Sequence, residues 1–346
     1  MRTTGGHKIK RPIPAPARLV AAFVAAVLAL AAGAAGADGP PQQKKSQSKT
    51  QEAPRDRQQR DQEARDQDDP VRLHSDLVVV SVTVTDAGGH YAHGLGLKDF
   101  ALFEDNTPQS LESFAAEEAP FAAAIVIDMS GSMEYKFGLV RAAAASFIEH
   151  IRDNDQVAVY GFNNKVRQFQ DFMNTRDISE YIWDAKAEDM TRLYDGLDEA
   201  INALSARPER RRAIVLITDG CDNTSRNASL DSVMKKALSA GVIIYSVDLI
   251  DDDALLGGGA LSAALRRGRA DMKEFSSQSG GRYLHSPQGD KLEEAFVNIV
   301  DELRNQYTLT YYSTNTKRDG RYRKINVGVS RAGAAVRARR GYWAAK

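Results

Sequence analysis

A chain of 346 residues is long enough for two modest domains, or for one large core with appendages. Hydrophobic residues make up 42% of it and charged residues 27%, a composition that excludes a wholly disordered chain and a fibrous repeat. The 46 basic and 46 acidic residues cancel, so the overall charge gives no support for a nucleic-acid-binding protein, and we predict no nucleic-acid partner.

Residues 1–37 have the pattern of a secretory signal peptide. Basic residues precede an apolar run over 19–32, and small residues follow up to Ala37. The run is shorter than the roughly 20 apolar residues of a membrane-spanning helix. We therefore predict cleavage near Ala37 and an exported mature chain, periplasmic or secreted, without a membrane-spanning segment. The alternative is an uncleaved membrane anchor.

Residues 38–70 are rich in Gln, Lys, Arg, Asp and Glu and contain hardly any large apolar residue. Such a composition cannot bury enough surface to offset the entropy of ordering, so we predict a disordered charged linker. The single cysteine, Cys221, excludes an intramolecular disulfide. An exported protein of this composition has to be held together by its core, or by a metal, instead of by cross-links.

Residues 71–118 are predicted to form an N-terminal β segment. Val80, Val82 and Val84 alternate with polar residues, as in a half-buried strand. Two further short strands, 99–103 and 110–114, flank a run of turn residues and predict a β hairpin.

From residue 119 to 306 buried strands alternate with amphipathic helices, which is typical of a mostly parallel sheet covered on both faces. Short apolar or β-branched runs indicate strands at 122–127, 156–162, 213–218 and 242–247. Apolar residues at helical spacing indicate helices over 137–151, 193–204 and 292–303. These apolar residues are interpreted as the ordinary buried faces of helices.

Residues 307–346 return to a period of two, with strands indicated at 307–311, 325–329 and around Val336. Neither terminal β segment has enough strands to form a stable sheet alone. We therefore predict that segments 71–118 and 307–346 pair in a small β sandwich, into which a doubly wound α/β domain of residues 119–306 is inserted. The alternative is that each segment extends an edge of the α/β sheet.

Polar side chains follow two of the predicted strands. Asp128 ends one buried strand, with Ser130 and Ser132 in the loop after it, and Asp219 with a glycine ends another. Between them in sequence, Thr191 lies on a loop that enters a helix. Doubly wound folds bind ligands outside the carboxyl ends of their strands, so we expect both carboxylates at one edge of the sheet.

The oxygen atoms of Asp, Ser and Thr are hard ligands, and this set contains no histidine or cysteine that would favour zinc or copper. Mg²⁺ is the natural occupant of such a site, with Mn²⁺ or Ca²⁺ as alternatives. Because few carboxylates stand among several neutral hydroxyls, the cation should keep an open position for water or for an acidic group of a partner.

The order D-x-S-x-S, then a threonine, then T-D-G resembles the metal-ion-dependent adhesion site of von Willebrand factor type A domains. The likeness covers roughly 121–306, and the flanking β segments resemble those of an exported bacterial family of such proteins. It implies a Rossmann-like fold and a protein partner whose Asp or Glu carboxylate completes the coordination. It also implies a set of cation ligands from three loops: Asp128, Ser130 and Ser132, then Thr191, then Asp219. Asp189-Met190, where members of the family often carry glycines, is a departure next to Thr191.

These features predict an exported metal-dependent adhesion or protein-binding module and not an enzyme; they indicate no oligomeric state. One alternative is a structural envelope protein whose cation only braces the loops. Another is a phosphotransferase or hydrolase that uses Asp128, although a second acid is expected where Ser130 stands, and a serine hydrolase would have glycine in place of Asp128. The triplet 251–253, three aspartates, is either a second cation site or a solvated acidic loop.

Overall fold

The computed structural model describes residues 77–116, 119–174, 190–285 and 290–346. Backbone contacts divide the chain after Val71, and every described residue belongs to the second unit. The predicted signal peptide and the predicted linker lie outside this part of the chain. Among the helices of the described residues, none combines the length and the apolar character needed to cross a membrane.

The N-terminal β segment contributes four described strands. They are β1 (Leu77–Thr85), β2 (Phe100–Glu104), β3 (Thr107–Gln109) and β4 (Leu111–Ala115). A 3-10 turn, Leu97–Asp99, precedes β2. In β1 the valines at alternate positions are buried, which agrees with the period of two in the sequence.

The central region consists of strands and helices in alternation. Its strands are β5 (Phe121–Asp128), β6 (Gln156–Phe162), β7 (Val166–Met173), β8 (Arg211–Thr218), β9 (Val242–Asp248) and β10 (Tyr283–His285). Its helices are α1 (Phe137–Glu149), α2 (Leu193–Ser205), α3 (Leu230–Ala240), α4 (Asp252–Leu256), α5 (Ala260–Ser279) and α6 (Asp290–Arg304). A 3-10 helix, Gly131–Lys136, leads into α1.

The central sheet has the strand order β10-β9-β8-β5-β6-β7. All neighbouring strands are parallel except β6 and the edge strand β7, which are antiparallel. Helices α1 and α6 cover one face through residues such as Phe147 and Phe296. Helices α2, α3 and α5 cover the other through Leu197, Val233 and Phe275. The predicted doubly wound, mostly parallel sheet is confirmed.

The C-terminal segment completes two antiparallel sheets. It supplies β11 (Tyr307–Tyr312), β12 (Tyr322–Val329), β13 (Ala335–Ala338) and β14 (Gly341–Trp343). The sheets have the orders β13-β1-β11-β4 and β14-β12-β2-β3, so each combines strands from both terminal segments. They share one apolar core, in which Val82 and Tyr307 of the first sheet meet Leu102 and Val327 of the second. The predicted sandwich with an inserted α/β region is confirmed.

The hairpin in the N-terminal segment differs from the predicted one. Asp105 and Asn106 both have positive φ, 48° and 66°, as two-residue hairpin turns require. They join β2 to the three-residue strand β3 and not to the strand predicted at 110–114. That strand, β4, crosses to the other sheet and pairs with β11. The partner lies almost two hundred residues away in sequence, which local turn signals cannot reveal.

Both connections between the sandwich and the α/β region converge on the guanidinium of Arg211, at the start of β8. Arg211 is fully buried. Its Nη2 donates to the carbonyl of Ala116 at 3.3 Å, on the chain that enters the α/β region. Its Nη1 donates to the carbonyls of Leu303 at 3.1 Å and Arg304 at 2.9 Å, and its Nη2 also reaches that of Gln306, on the chain that leaves it.

Candidate metal centre

The strand order reverses between β5 and β8, where a doubly wound sheet opens a crevice for ligands. The register places Ile127 of β5 beside Ile217 of β8. Asp128 and Asp219, which come one and two residues later, therefore leave the sheet at the same edge, as expected from the sequence.

Asp128 is fully buried, and both of its carboxylate oxygens accept hydrogen bonds. The Ser130 amide donates to Oδ1 at 2.9 Å, and the Thr218 hydroxyl donates to Oδ2 at 2.5 Å. Burial raises the pKa of Asp128 to about 6; the hydrogen bonds from Thr218 and Ser130 oppose this rise, and the charge of Asp219 adds to it. A cation nearby would favour the ionised form of this buried carboxyl.

Ser132 and Asp219 join the first loop to the third. The Ser132 hydroxyl donates to Asp219 Oδ1 at 2.7 Å, and the hydroxyl oxygens of Ser130 and Ser132 lie 3.2 Å apart. The ammonium of Lys136 pairs with Asp219 Oδ2. The sequence analysis did not select Lys136, because its contact with Asp219 joins residues 83 positions apart in sequence, which no local pattern indicates.

Thr191 is held against the third loop by its backbone. Its amide donates to Asn223 Oδ1 at 2.9 Å, and its carbonyl accepts from the Asn223 amide at 3.1 Å. These bonds involve the main chain of Thr191 and not its hydroxyl. Asn223 is a second residue that the sequence analysis missed; Asp189, the departure noted above, lies outside the described residues.

Four of the five predicted ligands, Ser130, Ser132, Thr191 and Asp219, line one cavity of about 420 Å³. Asp128 is bonded to its wall through the amide of Ser130. The described residues contain no group of three or more His, Cys, Asp or Glu side chains placed to share a metal ion. Hydroxyls must therefore supply part of any coordination shell, and two carboxylates with three hydroxyls fit a hard divalent cation that keeps water.

Residues 123–221 match the family model of the von Willebrand factor type A domain. This part of the chain is recognised as a von Willebrand factor type A domain. The matched range includes all five residues predicted as ligands. No curated protein matches the chain in sequence.

Several solved structures are similar to part of this chain. Proximal thread matrix protein 1 from the mussel byssus is 18% identical with a TM-score of 0.44, over 58% of this chain and 51% of its own, so the chain spans about half of that protein. An aerotolerance-related membrane protein from Bacteroides fragilis is 16% identical with a TM-score of 0.40, over 53% of this chain and 98% of its own. The PilB minor pilin from Streptococcus sanguinis is 16% identical with a TM-score of 0.40, over 54% of this chain and 62% of its own.

Two of the three aspartates at 251–253 are engaged by protein groups. Asp251 accepts a hydrogen bond from the Asp253 amide at 3.1 Å and so caps α4. Asp252 pairs with Arg269 Nη1 at 2.6 Å and lies 3.2 Å from His285 Nε2. The triplet is thus the start of a helix, and the carboxylates of Asp251 and Asp252 are held by protein groups.

Helix α5 contacts the third loop at Gly268. A Cβ at this position would lie 2.6 Å from the carbonyl oxygen of Gly220 and 2.8 Å from Cys221 Cβ. The absence of a side chain therefore lets the helix support the loop that carries Asp219.

We expect Gly268→Ala to weaken Mn²⁺ binding about tenfold, because the added methyl group displaces the loop that bears Asp219. Calorimetric titration with Mn²⁺ measures the effect. Gly138→Ala in α1 is the matched control, since a Cβ there meets nothing within 4 Å; it should leave the affinity unchanged and add a few tenths of a kcal/mol of stability, as alanine favours helices. Equal Mn²⁺ affinities of the two variants would contradict the proposed support by α5.

Proposed function

We propose that the type A domain binds a divalent cation, in the first place Mg²⁺, and through it an acidic group of a protein partner. Asp128, Ser130, Ser132, Thr191 and Asp219 are the residues that would hold the cation. The observation that carries the proposal is the convergence of four of these residues from three loops on one open cavity, with Asp128 bonded to the amide of Ser130. When bound, the ion supplies an open coordination position and uncompensated positive charge, which suit a carboxylate of the partner.

Lys136 has a specific part in this proposal. Its ammonium is the counter-charge of Asp219, with the Lys136 side chain 31% exposed and the Asp219 side chain 4% exposed. A cation that approaches Asp219 is repelled by the ammonium, because like charges at this distance in a partly buried site interact strongly. Lys136 therefore competes with the metal and lowers its affinity.

Exposed apolar side chains around the loops support a protein partner. Tyr135 is 95% exposed, Leu256 85% and Leu261 72%. Tyr135 stands next to Lys136, Leu261 lines the cavity, and the half-exposed Met190 precedes Thr191. Large apolar residues exposed around a polar centre are typical of protein interfaces. A cation that only braced the loops would not require them.

The chemistry of the cavity supports binding and not catalysis. Cys221 lines the cavity, but burial raises the pKa of its thiol, which makes it a weak nucleophile. None of the described residues that line the cavity is a histidine that could act as a general base.

The proposal includes export, which rests on the residue pattern at 1–37. Sequencing the N-terminus of the protein recovered from cells tests it, and an intact N-terminus would contradict cleavage.

Peptide binding tests the proposal. Immobilised peptides with one glutamate among apolar residues should bind the protein in Mg²⁺ and release it in a chelator, whereas the same peptides with glutamine should not bind. Tyr135→Ser combined with Leu261→Ser should lower peptide affinity about tenfold through lost apolar contact and leave Mn²⁺ affinity unchanged. A cation that raises the melting temperature while no peptide binds in a glutamate-dependent way would support the bracing alternative and contradict adhesion.

A further inference from the structure

A second cavity, of about 600 Å³, lies at the other end of strand β8 from the metal site. It is enclosed by the first residues of β1, the end of α3, the start of β8 and the C-terminal residues from 339 onward. Arg212 lines this cavity and Asp219 lines the first, so the two lie about 23 Å apart along one strand. The second cavity shares no lining residue with the metal site.

The charge of the second cavity is one-sided. Among the described residues, its lining contains no aspartate or glutamate and five basic side chains: Arg210, Arg212, Lys235, Arg339 and Lys346. Lining charges of one sign attract ligands of the opposite sign, because a partly enclosed cavity focuses their field. The lining therefore favours an anion.

Arg339 is the most informative of these residues because it is 7% exposed. Its Nη1 donates to the carbonyl of Leu238 at the end of α3. Its guanidinium lies 5.4 Å from the ring centre of Tyr342, and its Nε is buried without a hydrogen-bond partner. A carbonyl and an aromatic ring carry no net charge, so among the described residues this buried cation has no paired carboxylate, and an unpaired buried charge is costly. An anion in the cavity would remove that cost.

Arg212 is half-buried and resembles Arg339 in its hydrogen-bond acceptors, although the charge of Glu209 lies nearby. Its guanidinium donates to the carbonyls of Glu209 at 2.9 Å, Ala240 at 3.2 Å and Arg207 at 2.6 Å, and no carboxylate is among these acceptors. The remaining lining is largely apolar and includes Leu77, Val79 and the indole of Trp343. A ligand that fits this cavity has both an anionic group and an apolar body.

We propose that the second cavity binds an organic oxyanion, a phosphate monoester or a carboxylate on an aromatic or aliphatic body. The planar guanidinium groups of Arg339 and Arg212 match the paired oxygens of either anion. Trp343 and the first residues of β1 receive the apolar part. The size of the cavity is that of ordinary small-molecule sites.

Three probes with one ring test the proposal on the full chain: phenyl phosphate, benzoate and phenol. Calorimetry measures their binding, and Trp343 emission locates it once Trp183→Phe has removed the other tryptophan of the chain. We expect phenyl phosphate or benzoate to bind and to change the Trp343 emission, with phenol at least about tenfold weaker, because it lacks the charge. If phenol binds as tightly as both anions, the proposal is overturned. It is also overturned if neither anion gives a heat of binding or a change in Trp343 emission.

Variants separate this cavity from non-specific attraction. Arg339→Gln should weaken binding of the anion about tenfold. Because Arg339 also contacts α3, the double variant Arg210→Ala, Lys235→Ala serves as a second test on two exposed side chains, and we expect it to weaken binding severalfold without a change in melting temperature. Arg331→Ala, an exposed arginine outside the cavity that donates to the carbonyl of His93, is the control and should bind as the native protein does. Native affinity in both Arg339→Gln and the double variant overturns the proposal.

Discussion

Replacing Asp128 by asparagine is expected to abolish measurable Mn²⁺ or Mg²⁺ binding, with an affinity at least about 100-fold below that of the native protein. The asparagine keeps the shape of the side chain and an oxygen for the Ser130 amide, but it removes a charge that neutral hydroxyls cannot replace. Calorimetric titration with Mn²⁺ measures the loss. Saturating Mn²⁺ should raise the melting temperature of the native protein and leave that of Asp128→Asn unchanged, because a ligand stabilises only a protein that binds it.

The same variant is expected to fold. A neutral amide at a fully buried position avoids the desolvation that raises the pKa of the Asp128 carboxyl, so the metal-free variant should be no less stable than the metal-free native protein. The control is Asp251→Asn, because Asp251 lines the same cavity while its carboxylate caps α4. Its Mn²⁺ affinity should stay within about twofold of native. If Asp128→Asn binds Mn²⁺ like the native protein, the ligand assignment is wrong.

The elements of the candidate centre that could be predicted from sequence are those that local patterns specify. An apolar run followed by an aspartate indicates the end of a buried strand, and this is why Asp128 and Asp219 could be placed at one edge of the sheet. Lys136 and Asn223 act through contacts with residues that lie 83 and 32 positions away in sequence. Such contacts depend on how the loops meet in three dimensions, and no spacing rule specifies them.

The pairing of the terminal segments could be predicted from sequence, but the partners of individual strands could not. The two terminal segments had too few strands to be stable separately, which predicted that they pair. The choice of partner for β4 and the antiparallel edge strand β7 were not predicted, because the polar outer residues of an edge strand give a weak signal. The run Arg210-Arg211-Arg212 shows the limit most clearly. The three residues read alike in sequence, yet Arg210 is exposed, Arg211 is fully buried and Arg212 is half-buried.

Arg211→Met is expected to destabilise the protein by about 3 kcal/mol. Two effects oppose each other: removing a buried charge is favourable, but the carbonyls that the guanidinium satisfies lose their donor. The carbonyls of the buried residues Leu303 and Gln306 are shielded from water. Each buried carbonyl left without a hydrogen-bond donor costs about 1–3 kcal/mol of stability. The loss of donors therefore outweighs the gain. Calorimetry should show a fall in melting temperature of roughly 6–12 °C for a domain of this size.

Arg210→Met provides the matched control for this prediction, because the neighbouring side chain is exposed and donates to none of these carbonyls. Its stability should lie within about 0.5 kcal/mol of the native protein. Arg211 bonds the chain on both sides of the inserted α/β region, so its removal should loosen both connections. Proteolysis should then cut near Ala116 and near Gln306 in Arg211→Met and not in Arg210→Met. Equal melting temperatures of the two variants would show that the sandwich and the α/β region are held together without this guanidinium, by their apolar contacts and the remaining hydrogen bonds.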